Sequence, residues 1–197
     1  SPSDQPKFDI RILDVNNNIV DPLCGMYSIV SGGSIPGFQS YGSTRWKDWT
    51  VVGIDLSSYM GQNITIEYTT YDCSQSGHFG YAYLSCDCMP MGINVGFCPG
   101  NIDAELVAPP GFTYLWSPGG ATTQSISISN PTIGTTYTCE LTAPNGCQIT
   151  LTSILDQTIL TTGFTYNHVP CIYNVNFQDT SSVNQGTIGA WNWNFGD

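Results

Sequence analysis

The sequence predicts an all-β fold, a series of tandem β-sandwich modules, on three observations. Charged residues make up only 10% of the 197, with three Glu and two Lys, so long amphipathic helices would have almost nothing from which to build a polar face. Glycine (21) and proline (12), with abundant Ser, Thr and Asn, supply turn chemistry throughout. Between these turns run short stretches in which apolar and polar residues alternate, the period of a half-buried strand.

In chain order, residues 7–15 alternate Phe8, Ile10 and Ile12 with Asp9, Arg11 and Leu13, a strand buried on at least one face. Asn16-Asn17-Asn18 marks a turn, Ile19-Val20 resumes an extended chain, and the Gly/Ser-rich stretch 31–45 reads as a long surface loop. Strands are expected over 50–54, over 63–70 with Ile64, Ile66 and Tyr68 on one face, and over 81–84. Turns fall at 55–62 and 74–80. The composition changes after Asp87, and Pro90, Gly92 and Gly96 suggest a linker over 89–97. Five strands follow at 104–108, 112–116, 125–129, 137–141 and 147–155. Turn residues separate them roughly every 8–12 residues, the pattern of a small sandwich. A second linker, 156–162, precedes a segment with Phe164, Tyr166, a strand over 173–177 and the aromatic run Trp191, Trp193, Phe195. The expected domains are therefore 1–88, 98–155 and 162–197, the last too short to bury much core by itself.

Four Lys+Arg against fifteen Asp+Glu give a formal charge of −11. That balance disfavours a nucleic-acid binder, which needs clustered basic side chains, and adhesion to anionic lipid surfaces. A hydrophobic content of 41% is enough for packed cores, which separates the chain from disordered acidic tails. No apolar run is long enough to span a membrane. Ser1-Pro2-Ser3-Asp4 opens with neither an initiator Met nor a secretory leader, so the chain reads as part of a longer, processed protein.

Cysteines sit at Cys24, Cys73, Cys86, Cys88, Cys98, Cys139, Cys147 and Cys171. Cys86-Asp87-Cys88, or Cys88 with Cys98, could hint at zinc, but paired C-x2-C spacing is missing and His78 and His168 lie far from such a site. An even count in a Lys-poor chain favours disulfides and an oxidising, extracellular setting, with the connectivity left open by spacing alone.

His78, within Gly77-His78-Phe79-Gly80, reads better as a hydrogen-bonded loop or core residue than as a catalytic base, and His168 as an ordinary loop residue. Asp72 and Asp87 could form a carboxylate pair for glycoside hydrolysis. Calcium suits these two carboxylates better, since strand-end Asp and loop carbonyls match a hard cation, and turn capping is the simpler alternative. No other cofactor is expected. Aromatics are dense in the first module. For Trp116, Trp191 and Trp193 the alternating context favours a core role, whereas Tyr41 and Trp46, in or beside the Gly/Ser-rich loop, are candidates for stacking on sugars. Asn63-Ile64-Thr65 fits the glycosylation pattern but is read here as strand.

Three resemblances follow from particular residues. Phe177-Gln178-Asp179-Thr180-Ser181 followed by Trp191-x-Trp193-x-Phe195-Gly196-Asp197 resembles the opening of a PKD (polycystic kidney disease-type) domain. Residues 98–155 resemble the Ig-like repeats of large Bacteroidetes surface proteins, through Cys98-Pro99-Gly100, Tyr114-Leu115-Trp116-Ser117-Pro118-Gly119-Gly120, Gly134 to Tyr137, and Asn145-Gly146-Cys147. That resemblance implies a Cys98–Cys147 disulfide, with Cys98–Cys139 as the antibody-type alternative. Residues 1–88, through Trp49-Thr50-Val51-Val52, Asp55 to Tyr59 and Gly77 to Tyr83, are similar to the later portion of a jelly-roll-like module common in the same proteins. Together these resemblances imply a non-catalytic piece of a large secreted adhesin of the gliding-motility kind. Such a protein is exported by type IX secretion to the outer cell surface, and it meets surface polysaccharide, its own neighbouring modules and the outer-membrane secretion and motility machinery. A carbohydrate-binding or spacer region of a secreted polysaccharide-degrading enzyme is the rival expectation.

Overall fold

Every regular element among the described residues is a strand, apart from one 3-10 turn at Ser57–Tyr59. The computed structural model describes residues 5–31, 37–73, 77–168, 174–184 and 187–196. In chain order the strands are β1 (Lys7–Leu13), β2 (Met26–Val30), β3 (Phe38–Tyr41), β4 (Thr44–Lys47), β5 (Thr65–Tyr71), β6 (Asn94–Gly96), β7 (Asp103–Val107) and β8 (Thr113–Ser117). They continue with β9 (Ser125–Ser129), β10 (Thr136–Thr142), β11 (Gln148–Ile154), β12 (Leu160–Thr161), β13 (Phe164–His168), β14 (Val175–Asp179) and β15 (Ser182–Val183). They assemble into several small antiparallel sheets, an all-β fold of the sandwich type. The chain divides into two compact units, one of residues 1–92, 109–124 and 138–151 and the other of 93–108, 125–137 and 152–197. The strands of segment 98–155 are thus shared between both units.

In the first unit β1 is the central strand of the sheet β2-β1-β5. Its period of two puts Lys7, Asp9 and Arg11 on one face, opposite Ser28 of β2 and Tyr71 and Glu67 of β5, and Phe8, Ile10 and Ile12 on the other. Ile12 and Leu13 are buried. The strand ends where Asp14 Oδ1 accepts the backbone N–H groups of Asn16 and Asn18, each at 2.8 Å, with Asn17 at φ 63°. That Asx-type turn is what the Asn run at 16–18 encodes. The sheet β11-β10-β8 buries Trp116, Cys139 and Leu141, and the Trp116 indole N–H donates to Thr123 O at 2.8 Å. Core placement of Trp116 agrees with its alternating strand.

Several expectations need correction. The stretch 31–45 is not one loop: β3 and β4 form a hairpin there, while residues 32–36 lie outside the described residues. Residues 50–54 carry no strand, because this Val-rich run finds no ladder partner among the described residues; Gly53 N donates to Gly111 O at 3.1 Å. Residues 81–84 likewise join no ladder among the described residues, and Tyr81 and Tyr83 stay exposed. Both stretches expected as linkers contain strands, β6 in the first and β12 in the second.

In the second unit β7 lies between β6 and β9, and Ala104 and Leu106 are buried, together with Phe97, Ala108, Tyr137 and Leu155. Two two-stranded sheets, β12-β15 and β13-β14, complete it. The register of β13 on β14 gathers Phe164, Tyr166 and Phe177 on one face, where Trp193 and Phe195 pack with ring centroids 5.1–5.9 Å from Phe177. Trp191 and Trp193 are nevertheless 54% and 40% exposed. The expected core role is not realised, because residues 187–196 add no strand and a two-stranded sheet can cover a ring on one side only. His168, expected in a loop, closes β13.

Candidate functional site: an aromatic hairpin and a covalent junction

The β3–β4 hairpin turns through Gly42-Ser43, with Gly42 at φ 59°. A left-handed first turn residue is what a tight two-residue hairpin demands, and glycine adopts it without steric cost. Directly paired residues share a face, so Gln39 with Trp46 and Tyr41 with Thr44 form one side, and Ser40 with Arg45 and Phe38 with Lys47 the other. Tyr41 is 82% and Trp46 40% exposed. Beside Trp46, on the side away from the turn, the Gln39 amide donates to Asp48 Oδ2 at 2.6 Å, which holds an amide and a carboxylate next to that ring. Aromatic planes flanked by fixed polar groups can stack on the apolar face of a sugar while bonding its hydroxyls. The sequence singled out Tyr41 and Trp46. It missed Gln39 and Asp48, which only the hairpin register brings beside them.

A second feature of the same unit is covalent. Cys24 and Cys147 form a disulfide between positions 123 residues apart. Both sulfurs are held by their own turns. Asp21 Oδ1 accepts the N–H groups of Leu23 and Cys24 at 2.8 and 2.9 Å, and Gly25 N donates to Asp21 O at 2.8 Å. A Cβ on Gly25 would lie 2.8 Å from that carbonyl, so the turn excludes any larger residue. On the other side Asn145 Oδ1 accepts Cys147 N–H at 3.1 Å, while the Asn145 amide donates to Leu23 O and Met26 O, each at 2.6 Å. One side chain thus ties both turns together around the bond.

The Cys24–Cys147 pair corrects the Cys98–Cys147 pairing implied by resemblance, since Cys147 can bond only once. Cys98–Cys139 is not formed either: Cys98 is an exposed free thiol and Cys139 a buried one. Burial pushes the Cys139 thiol up, and the backbone hydrogen bond at Leu115 opposes that only in part. Cys86 and Cys88 are exposed and free, and Cys171 lies outside the described residues. The Cys86 sulfur sits 2.9 Å from the Tyr68 hydroxyl; that hydrogen bond, then burial, then charge on Cys86 and Cys88 push the phenol up to about 12.

Cys73 Sγ lies 3.2 Å from His78 Nδ1, the one thiol–imidazole contact among the described residues. Cys73 is buried, which closes its sulfur to a substrate, and the backbone bond from Cys73 N to His78 O at 3.2 Å makes the pair a loop closure. Asp72 accepts Gly80 N at 3.1 Å, a turn-bracing contact, and Asp87 is exposed. Among the described residues no three His, Cys, Asp or Glu side chains converge as metal ligands.

Two of the four cations are engaged on β1. Asp9 is 2% exposed and accepts Ser28 Oγ at 2.6 Å, Arg11 Nη2 at 2.9 Å and Lys7 Nζ at 3.1 Å. Burial, the largest influence, would raise the Asp9 pKa, but the bonds from Ser28, Lys7 and Arg11 together outweigh it and hold the carboxyl below its ordinary value. Arg11 also reaches Tyr71 OH at 2.7 Å and Glu67 at 3.4 Å, and Lys7 sits 4.2 Å above the Tyr71 ring. The network braces the sheet. Compared with protein-family models, with curated proteins and with solved structures, the chain matches none. No helix among the described residues is long and apolar enough to cross a membrane, and the disulfide fits a non-cytoplasmic setting.

Proposed function

We propose that this chain is a non-catalytic, adhesive segment of a cell-surface protein that holds extracellular glycan through the β3–β4 hairpin. The observation that carries this reading is the hairpin's exposed aromatic face, Tyr41 and Trp46 beside the Gln39–Asp48 pair. Tyr41 in particular gains little from intramolecular burial, and an aromatic pair on one face of a short hairpin offers a ligand a stacking surface. The braced antiparallel sheets suit a load-bearing role, because their ladders spread force over many backbone bonds. A formal charge of −11 keeps a long surface chain soluble and self-repelling. Secretion by a type IX system and a part in gliding belong to this proposal through the sequence resemblances alone.

A glycan array probed with the whole chain, its Tyr41→Ala and its Trp46→Ala forms tests the reading. Binding to a defined glycan class, weakened at least about tenfold in each variant (about 1.4 kcal/mol) with unchanged thermal unfolding, is the expected result. Glycan binding indifferent to both substitutions, or none at all, contradicts it.

A further inference from the structure

We propose that the Cys24–Cys147 bond makes the chain an extension limiter: under tension between its ends, the backbone of residues 25–146 is bypassed by the covalent load path. This inference rests on the adhesive, load-bearing reading above, but its test does not depend on glycan. A force applied at the two ends travels from residue 1 to Cys24, crosses the disulfide, and leaves from Cys147 to residue 197. Once the ladders that join β1 to β2 and β5 have yielded, everything between the two cysteines hangs on a closed covalent loop and bears no end-to-end tension.

The strand order adds resistance to the portion that stays loaded. β1 lies before Cys24, whereas its partners β2 and β5 both lie inside the loop. In the β1–β2 register Arg11 faces Met26 and Lys7 faces Val30. The anchor at Cys24 therefore lies beside the Met26 end of the ladder, while the pull arrives at the opposite, Lys7 end. Force then runs along the strands and perpendicular to their hydrogen bonds, so the ladder is sheared with all its bonds loaded together instead of being unzipped one bond at a time. The ion network of Lys7, Asp9, Arg11 and Glu67 crosses the same strands and resists the same sliding. The two amide bonds from Asn145 to Leu23 O and Met26 O hold the anchor itself.

The limiter is robust to cross-links among the described free thiols. Any cross-link among Cys73, Cys86, Cys88, Cys98 and Cys139 would fall inside the loop and leave the end-to-end limit unchanged.

Single-molecule stretching of the oxidised whole chain, held at its two ends, reads this as a covalent length. At about 3.5 Å per extended residue, residues 1–24 and 147–197 allow a limit of about 260 Å, whereas a Cys98–Cys147 bond would allow about 520 Å and an uncross-linked chain about 690 Å. The Cys24→Ser/Cys147→Ser double variant is expected to extend beyond the parent by up to about 430 Å, and Cys98→Ser to keep the parent's limit. The readout holds even where the double variant fails to fold, because it depends on the length of chain between cross-links. A parent limit near 520 or 690 Å, or parent and double variant stretching to the same length, overturns the proposal.

Discussion

Asp9 is the residue on which the first sheet turns. It sits on a strand face that alternation alone marks as polar, yet it is nearly inaccessible and fully partnered. The sequence shows the Lys7-x-Asp9-x-Arg11 spacing, but burial of that face depends on β2 and β5 closing on both sides, which no local pattern encodes. Because its folded pKa lies below the ordinary value of 3.8, Asp9 adds stability that is present above the unfolded pKa and lost as the pH falls through the folded one. Asp9→Asn should therefore cost about 2 kcal/mol at neutral pH, a value set below that of a fully buried pair because Lys7 and Arg11 are partly solvated. In denaturant unfolding the gap between parent and variant should shrink below about pH 4; a gap that stays constant with pH contradicts the ionic account. Thiol accessibility gives a second test at this scale. In the native chain an alkylating reagent followed by peptide mapping should modify exposed Cys86, Cys88 and Cys98 quickly and Cys139 last, since burial both shields that sulfur and raises its pKa.

Among the elements, the hairpin carries a clear local signal. Gly42-Ser43 between Phe38–Tyr41 and Thr44–Lys47 is a two-residue turn signal, but the surrounding Gly and Ser made the whole stretch look like a loop. The reverse happened at 50–54 and 81–84, where β-branched and aromatic residues give a strand-like pattern with no partner to complete a ladder. The five strands between Asp103 and Ile154 were legible because strict alternation and turn residues agree there. A β-branched residue at position 42 would be forced into φ 59° at a cost of about 1–2 kcal/mol, and a two-stranded hairpin has little margin to absorb it. Gly42→Val is accordingly expected to abolish glycan binding while leaving the main unfolding transition in place, whereas Ser43→Ala should retain binding. Equal binding by both variants would separate the aromatic face from ligand recognition.

At the scale of the whole molecule, the long-range covalent link was the least legible feature. Spacing carries no information about which of eight cysteines meet in space, and the partner of Cys147 lies 123 residues away. Resemblance to a repeat family pointed instead to Cys98. The distribution of segment 98–155 between two compact units was hidden for the same reason, since contacts between distant stretches leave no periodic trace. A loop of this size is worth about 4–5 kcal/mol in the chain-entropy description of a cross-link, so the Cys24–Cys147 bond is the largest single stabilising feature proposed here. Mass spectrometry of a non-reducing digest of the oxidised chain tests it most directly. The account predicts one linked species joining the peptide that carries Cys24 to the peptide that carries Cys147; a species joining Cys147 to Cys98, or an unlinked Cys147 peptide, contradicts it.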